Sequence, residues 1–419
     1  MSEPATANHS HINGLWRRYR GLPRNVVAIG LVSLLNDASS EIIYPLLPVF
    51  LTASLGASAR AIGIIEGLAE SIASLLKLFA GYLSDRLAKR KFLVVAGYSL
   101  ASIVRPLLAF AHTWTQVLAI RLTDRVGKGI RTAPRDAMIA DTVSVEQRGL
   151  AFGFHRAMDH GGAVIGPLAG YALVLIFVAK ASSPTTGEFS KIFLAASVPA
   201  LIAVLVAIFF MRESPVHAAA ASQVTSLSLR GFDSNFKRFL VVLALFTLSN
   251  SSDSFLILRA TQSGVSVVMV PLLWAAHHGS KVLSSLLGGD LSDRLGRKRL
   301  IVSGWVLYAA VYAGFAFATQ TVSVWILFLI YGIYFGLSEG AEKALVADLV
   351  RPEQRGTAYG LYNLAFGVTV FPASFLMGMI WDWKGPAVAF LLSAAMGATA
   401  AVLLLVLVKP HPDRERIVV

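Results

Sequence analysis

The stretch RLTDRVGKGIRTAPRDAMIAD, residues 121–141, holds charged groups able to bind ions or pass protons. On a helix turning about 100° per residue, Arg121, Asp124, Arg125, Lys128, Arg131 and Arg135 fall within an arc of about 120°. Asp136 and Asp141 complete the set, the latter on the opposite side. The same arithmetic puts Glu66, Glu70 and Lys77 within about 40° on another segment. Asp37 and Glu41 stand one turn apart in NDASSEIIYPLLP, and HRAMDH supplies His155, Arg156, Asp159 and His160. Asp253, then His277, His278 and Lys281, then Glu339, Glu342 and Lys343 follow downstream. Carboxylates and imidazoles load and release protons; guanidinium and ammonium groups hold anions or neutralise those carboxylates.

The elements that position these groups are apolar. Of 419 residues, 55% are hydrophobic and 15% charged, too little charge to cover a soluble surface of that size. Hydropathy divides the chain into twelve spans at about 26–53, 59–83, 91–112, 113–139, 149–178, 190–211, 238–262, 265–290, 299–318, 323–348, 357–381 and 386–408, each near the 20 residues that cross a bilayer. A charge at the bilayer centre costs about 2.5–3.5 kcal/mol even on a lenient scale, so the polar stripe on the fourth span must face protein or water. A cavity is the expectation. Depth along the helices puts Asp37, Glu41, Glu70, Asp124, Arg125, Asp159, Asp253, His277 and His278 near mid-membrane. Lys128, Arg131, Arg135, Glu342 and Lys343 lie nearer the cytoplasm by the same measure.

The net charge of +13 is read as topology rather than nucleic-acid binding. Basic clusters at Arg17, Arg18, Arg20 and Arg24, at 86–91 and at 294–299 put both termini in the cytoplasm. Residues 1–25 form an N-terminal tail without a secretory leader, 26–211 a first six-helix bundle, 212–237 a linker, 238–408 a second bundle and 409–419 a tail. An internal repeat supports the division: GYLSDRLAKRK (81–91) returns as GDLSDRLGRKR (289–299), and DTVSVEQRGLAFG (141–153) as DLVRPEQRGTAYG (348–360). With no cysteine, disulfide and thiol chemistry are excluded.

These repeats resemble the signatures of the major facilitator superfamily. Gly81, Asp85, Arg86, Lys89, Arg90 and Lys91 are similar to the motif between its second and third helices, with Ala88 in place of the second glycine. Gly289, Asp293, Arg294, Gly296, Arg297 and Lys298 form a complete second copy. GGAVIGPLAGY, with Gly162, Gly166, Pro167 and Gly170, resembles the fifth-helix motif of proton-coupled exporters; small residues four apart also serve plain helix packing. Arg125, Gly127, Gly129, Thr132 and Ala133 resemble the fourth-helix pattern, with Lys128 and Arg131 departing from it. The resemblance implies an all-α membrane fold of two pseudo-symmetric six-helix bundles, alternating access and a conformational role for the Asp-Arg motif.

The expected function is secondary transport of a small molecule across an inner membrane, as proton-coupled efflux, by a monomer without cofactor or enzymatic activity. Arg125 beside Asp124 and Asp159 is the first expectation for coupling. Arg135-Asp136 facing Glu342-Lys343 across the lobes is the expectation for an inner gate, with Glu66, Lys77, Arg121, Lys128, Arg131 and Glu339 as further charge in the cavity. The cationic stripe favours an alternative, uptake or exchange of a polar anion or metal chelate. A non-transporting receptor or scaffold is a third class. Direct metal ligation by His155, Asp159, His160, His277 and His278 lacks a diagnostic spacing. GLSEG (336–340) fits a nucleophile elbow only in a strand–turn–helix context that a membrane span does not provide.

Overall fold

The computed structural model describes residues 21–87, 89–144, 147–178, 184–213, 228–351 and 354–409. Among them are twelve long helices and no strand: α1 Arg24–Ser54, α2 Ala59–Leu87, α3 Arg90–Phe110, α4 Trp114–Thr142, α5 Arg148–Phe177 and α6 Thr186–Phe210. The second half contributes α7 Ser234–Gln262, α8 Met269–Leu295, α9 Arg297–Phe317, α10 Thr321–Asp348, α11 Arg355–Lys384 and α12 Pro386–Leu407. Nine of the twelve are apolar enough to span a membrane by composition alone. The other three are α2, α4 and α8, the helices that carry charge inward.

Local chemistry sets several ends. Thr113 and Gln116 form a capping box at the start of α4, and Thr185 and Glu188 repeat it at α6, satisfying backbone N–H groups that the first turn leaves orphaned. Gly296 turns α8 into α9 at φ 86°, a left-handed conformation that favours glycine. Two helices are interrupted. In α1 regular helix stops at Ile43 and resumes over Leu47–Val49 and a π turn, Phe50–Ser54, around Pro45 and Pro48. In α7 it stops at Ser249 and restarts at Ser254.

The helices pack as two related sets. In the first, α1 lies on α5 and α6, α2 on α4, and α3 on α4 and α6. In the second, α7 lies on α11 and α12, α8 on α10, and α9 on α10 and α12. The same pairing rule generates both. The two lobes meet through α2 against α11 and α5 against α8, contacts that exchange under that relation.

Small residues make the close crossings. Gly162 and Gly166 bring α5 onto the α1 backbone, where an added Cβ would stand 2.5 Å from the Leu34 carbonyl oxygen and 2.6 Å from that of Ala38. Gly170 has more room, its nearest α1 atom 3.4 Å away. Gly166→Val is therefore expected to lower stability by about 1–3 kcal/mol through overpacking, while Gly170→Ala stays near neutral. Thermal melting of the two variants in detergent checks this; equal melting temperatures would refute it.

Candidate functional site

The polar stripe of α4 does not open onto one cavity. Its members are divided among neighbours because α4 is flanked by glycines: Gly127 meets Gly97 on α3 and Gly129 meets Leu76 on α2, so both helices approach closely. Arg121 makes a bidentate pair with Glu66 of α2, with Nε–Oε1 3.1 Å and Nη2–Oε2 2.8 Å, both side chains buried. Asp124 turns the other way and accepts from Arg105 Nε at 2.9 Å; Arg105 also donates to the Asn36 carbonyl at 3.0 Å. Arg131 donates to the Gly97 carbonyl at 3.5 Å and lies 4.4 Å from the Tyr98 ring centroid. The stripe is largely a mortar between α2, α3 and α4.

Arg125 and Lys128 are different. Both reach Glu70, at 3.3 and 3.9 Å, and Lys128 and Glu70 keep 36% and 31% of their side-chain surface exposed. Charges accessible this deep in a span face water, not lipid.

The expected trio of Arg125, Asp124 and Asp159 is not assembled. Asp124 belongs to Arg105 and Arg125 to Glu70, while Asp159 lies 3.6 Å from His155. Helical angle places groups on an arc, but the partner is set by which neighbouring helix comes close. The cross-lobe inner gate is likewise replaced by pairs within each lobe. Arg135 donates to Asp136 at 3.1 Å and to Ser33 at 3.3 Å. Glu342 accepts from Trp305 and Tyr362 at 2.9 and 3.0 Å, and Lys343 pairs with Glu339 at 3.3 Å. Asp136, Glu339 and Lys343 all keep over 40% side-chain exposure, so this end is open to solvent.

The lobes are instead stapled in the half away from the termini. Glu41 of α1 accepts from Trp274 Nε1 of α8 at 2.8 Å, with His278 Nε2 at 3.8 Å. Tyr44 lies 3.5 Å from the Ser252 hydroxyl, in the break of α7. At the far mouth the Asp382 carboxylate, ending α11, accepts from the backbone N–H groups of Ala59 and Arg60 at 3.0 and 2.9 Å, capping α2 across the lobe boundary. Asp37, near Glu41, has Asn36 as its hydrogen-bond partner at 2.9 Å.

The C-terminal lobe presents aromatic surface to this charged one. Tyr331 donates to Asp253 at 2.8 Å and stacks on His277, whose Nδ1 lies 3.1 Å from the Phe328 carbonyl oxygen. His155 is turned to Ser33 at 3.0 Å. With these histidines engaged elsewhere, no cluster of three His, Asp or Glu able to hold a metal occurs among the described residues. Ser338 of GLSEG donates to the Tyr334 carbonyl inside α10, with no nucleophile geometry.

Of the repeated loop motif, Gly81, Asp85, Arg86, Gly289, Asp293 and Arg294 have surroundings outside the described side chains. Arg90 pairs with Asp141 and Arg297 with Asp348, equivalent carboxylates in the two halves. Lys298 donates to the Leu405 carbonyl at 2.8 Å, and Lys89 is exposed. Lys77, Arg156 and Lys281 have no carboxylate in ion-pair distance among the described residues, and His160 stands one turn from Arg156 on α5. Pro167 lies within α5 beside the packed glycines.

Residues missed by the sequence reading are Arg105, Trp274, Tyr331 and Asp382. Arg105 carried a usable signal, a cation within the apolar run SIVRPLLAF. The others are contacts of the tertiary fold and leave no periodic trace.

Comparison with known proteins supplies the family. A model of the Major Facilitator Superfamily matches residues 29–368 and 239–418. An uncharacterized MFS-type transporter of Methanocaldococcus jannaschii is 35% identical over 393 residues, covering 92% of this chain and 95% of the relative. A multi-drug resistance efflux pump PmrA homolog of Lactococcus lactis is 25% identical over 342 residues, 79% of this chain and 81% of the relative. Among solved structures, the nucleoside transporter NupG superposes with TM-score 0.77 at 15% identity, over 92% of this chain and 100% of the other. A D-xylose–proton symporter gives 0.73 at 17%, over 92% and 98%. Those likenesses concern the fold. Twelve helices in two related sets, a repeated loop motif and a family match spanning both halves agree: the chain belongs to the major facilitator superfamily, and it is a membrane transporter rather than an enzyme.

Proposed function

We propose that the protein is a proton-coupled secondary transporter that exports a small molecule across the plasma membrane, with both termini on the cytoplasmic face. The observation that carries coupling is Glu41. This mid-membrane carboxylate has no lysine or arginine in ion-pair distance among the described residues, and its polar neighbours, Trp274 and His278, belong to the opposite lobe. When the lobes separate at the far face, Glu41 exchanges those neighbours for water. A carboxylate whose surroundings change with conformation binds its proton differently in the two states, which is the requirement for coupling. Asp37 one turn away shares the setting. Export is supported by the fifth-helix glycines and by the name of the Lactococcus lactis relative. Orientation is supported by the basic clusters flanking the helices at the face of the termini.

In proteoliposomes with a trapped pH dye, substrate addition is expected to move protons in the wild type. Glu41→Gln is expected to reduce that movement at least tenfold. Wild-type proton flux in Glu41→Gln would remove the coupling role.

A second reading is uptake or exchange of a polar anion. Arg156 and Lys281, one from each lobe and without a carboxylate in ion-pair distance among the described residues, favour it.

A further inference from the structure

We propose that the substrate is a small organic anion, held between Arg156 of α5 and Lys281 of α8 with its apolar part along Phe335 of α10. This rests on the transport reading and names the cargo of the same cavity, whichever direction it moves. Most buried or half-buried cations of the membrane region are matched: Arg121 with Glu66, Arg105 with Asp124, Arg125 with Glu70, Arg135 with Asp136. Arg156 and Lys281 have no carboxylate in ion-pair distance among the described residues, and the contact Lys281 makes is with the Phe335 ring of α10. Arg156 is exposed, in the third turn of a 30-residue helix that packs across the lobe boundary onto α8.

The two cations share one region. α5 and α8 pack together where Gly170 faces Pro271, and counting along the two oppositely directed helices from that crossing puts Arg156 and Lys281 within about one turn of the same height, one from each lobe. Glu339 is in ion-pair distance of Lys343, at 3.3 Å, and of neither Arg156 nor Lys281 among the described residues. An anion bridging both lobes neutralises both cations and favours lobe closure, so it is felt differently in open and closed states.

The apolar side of the site is equally specific. The Lys281 ammonium sits 3.8 Å from the Phe335 ring centroid, and Phe335 is only half-buried. Its ring continues into Tyr331 and Tyr334, at 5.2 and 4.7 Å between centroids. A cation poised on the edge of an aromatic wall fits an acid with a flat apolar body. A lipophilic cation would meet Arg156 and Lys281 with like charge.

Isothermal titration of the purified full-length protein in detergent tests this, with benzoate, phenyl phosphate and tetraphenylphosphonium as probes. Binding of at least one of the two anions is expected, weakened tenfold or more in both Arg156→Gln and Lys281→Gln and kept within threefold in Lys281→Arg. Anion binding in the wild type that both glutamine variants weaken upholds this assignment whether or not Glu41→Gln loses proton movement, which separates its failure from failure of coupling. Binding of tetraphenylphosphonium alone, binding of neither anion, or anion binding indifferent to both glutamine variants would overturn it.

Discussion

Replacing Arg121 with Ala is expected to destabilise the folded protein by about 3–5 kcal/mol, the cost of leaving one half of a buried ion pair without its partner. Three hydrogen bonds tie its guanidinium to Glu66, and both groups are almost wholly shielded. The loss should appear as a large fall in melting temperature and in monodisperse yield on fluorescence-detected size exclusion. Removing both charges together, in Glu66→Gln with Arg121→Met, should recover most of it, because a neutral pair incurs no uncompensated desolvation. A double variant as unstable as Arg121→Ala would show that the pair's role is shape rather than charge. The contrast with Glu41→Gln matters: one buried carboxylate of the membrane region is structural and the other is proposed for coupling.

Asp382→Asn should move the conformational equilibrium toward the state open at the far face by roughly tenfold to a hundredfold. Each charge-assisted hydrogen bond contributes about 1.5–3 kcal/mol, and the carboxylate also meets the positive end of α2. Both bonds cross the lobe boundary, so they exist only while that mouth is closed. The chain contains no cysteine, so single cysteines can be placed at either mouth without a background thiol. Labelling at the far mouth should accelerate in Asp382→Asn, and labelling at the mouth beside the termini should slow. Unchanged rates at both would show that the helix cap does not hold the closed state.

The twelve helices were legible from hydropathy to within a few residues, α4 included, because span length is a property of the sequence alone. Pairing was not. Arg125 shares an arc with Asp124, yet the glycines at 97, 127 and 129 let α3 and α2 close in from two sides and claim one charge each. Glu342 looked like a gate residue by alignment with Arg135, and Trp305 and Tyr362 took it instead. A single helix reports the angle of its side chains and nothing of which neighbour meets them. Asp382 was invisible for a related reason: its partners are backbone N–H groups some 320 residues earlier.

The breaks in α1 and α7 occupy equivalent places in the two halves. Shifting Tyr44 by the offset that relates Asp141 to Asp348 reaches Ser251, inside the α7 interruption, and Tyr44 touches the neighbouring Ser252. Beyond each break lies a short helical piece, joined in α1 by turn bonds such as Leu46 N–H to Ile43 and Phe50 N–H to Leu46, while in α7 the regular ladder lapses between Asn250 and Ser252. Breaks of this kind are the expected places for a span to bend, so sealing the cargo in and swinging the lobes would be mechanically separate acts.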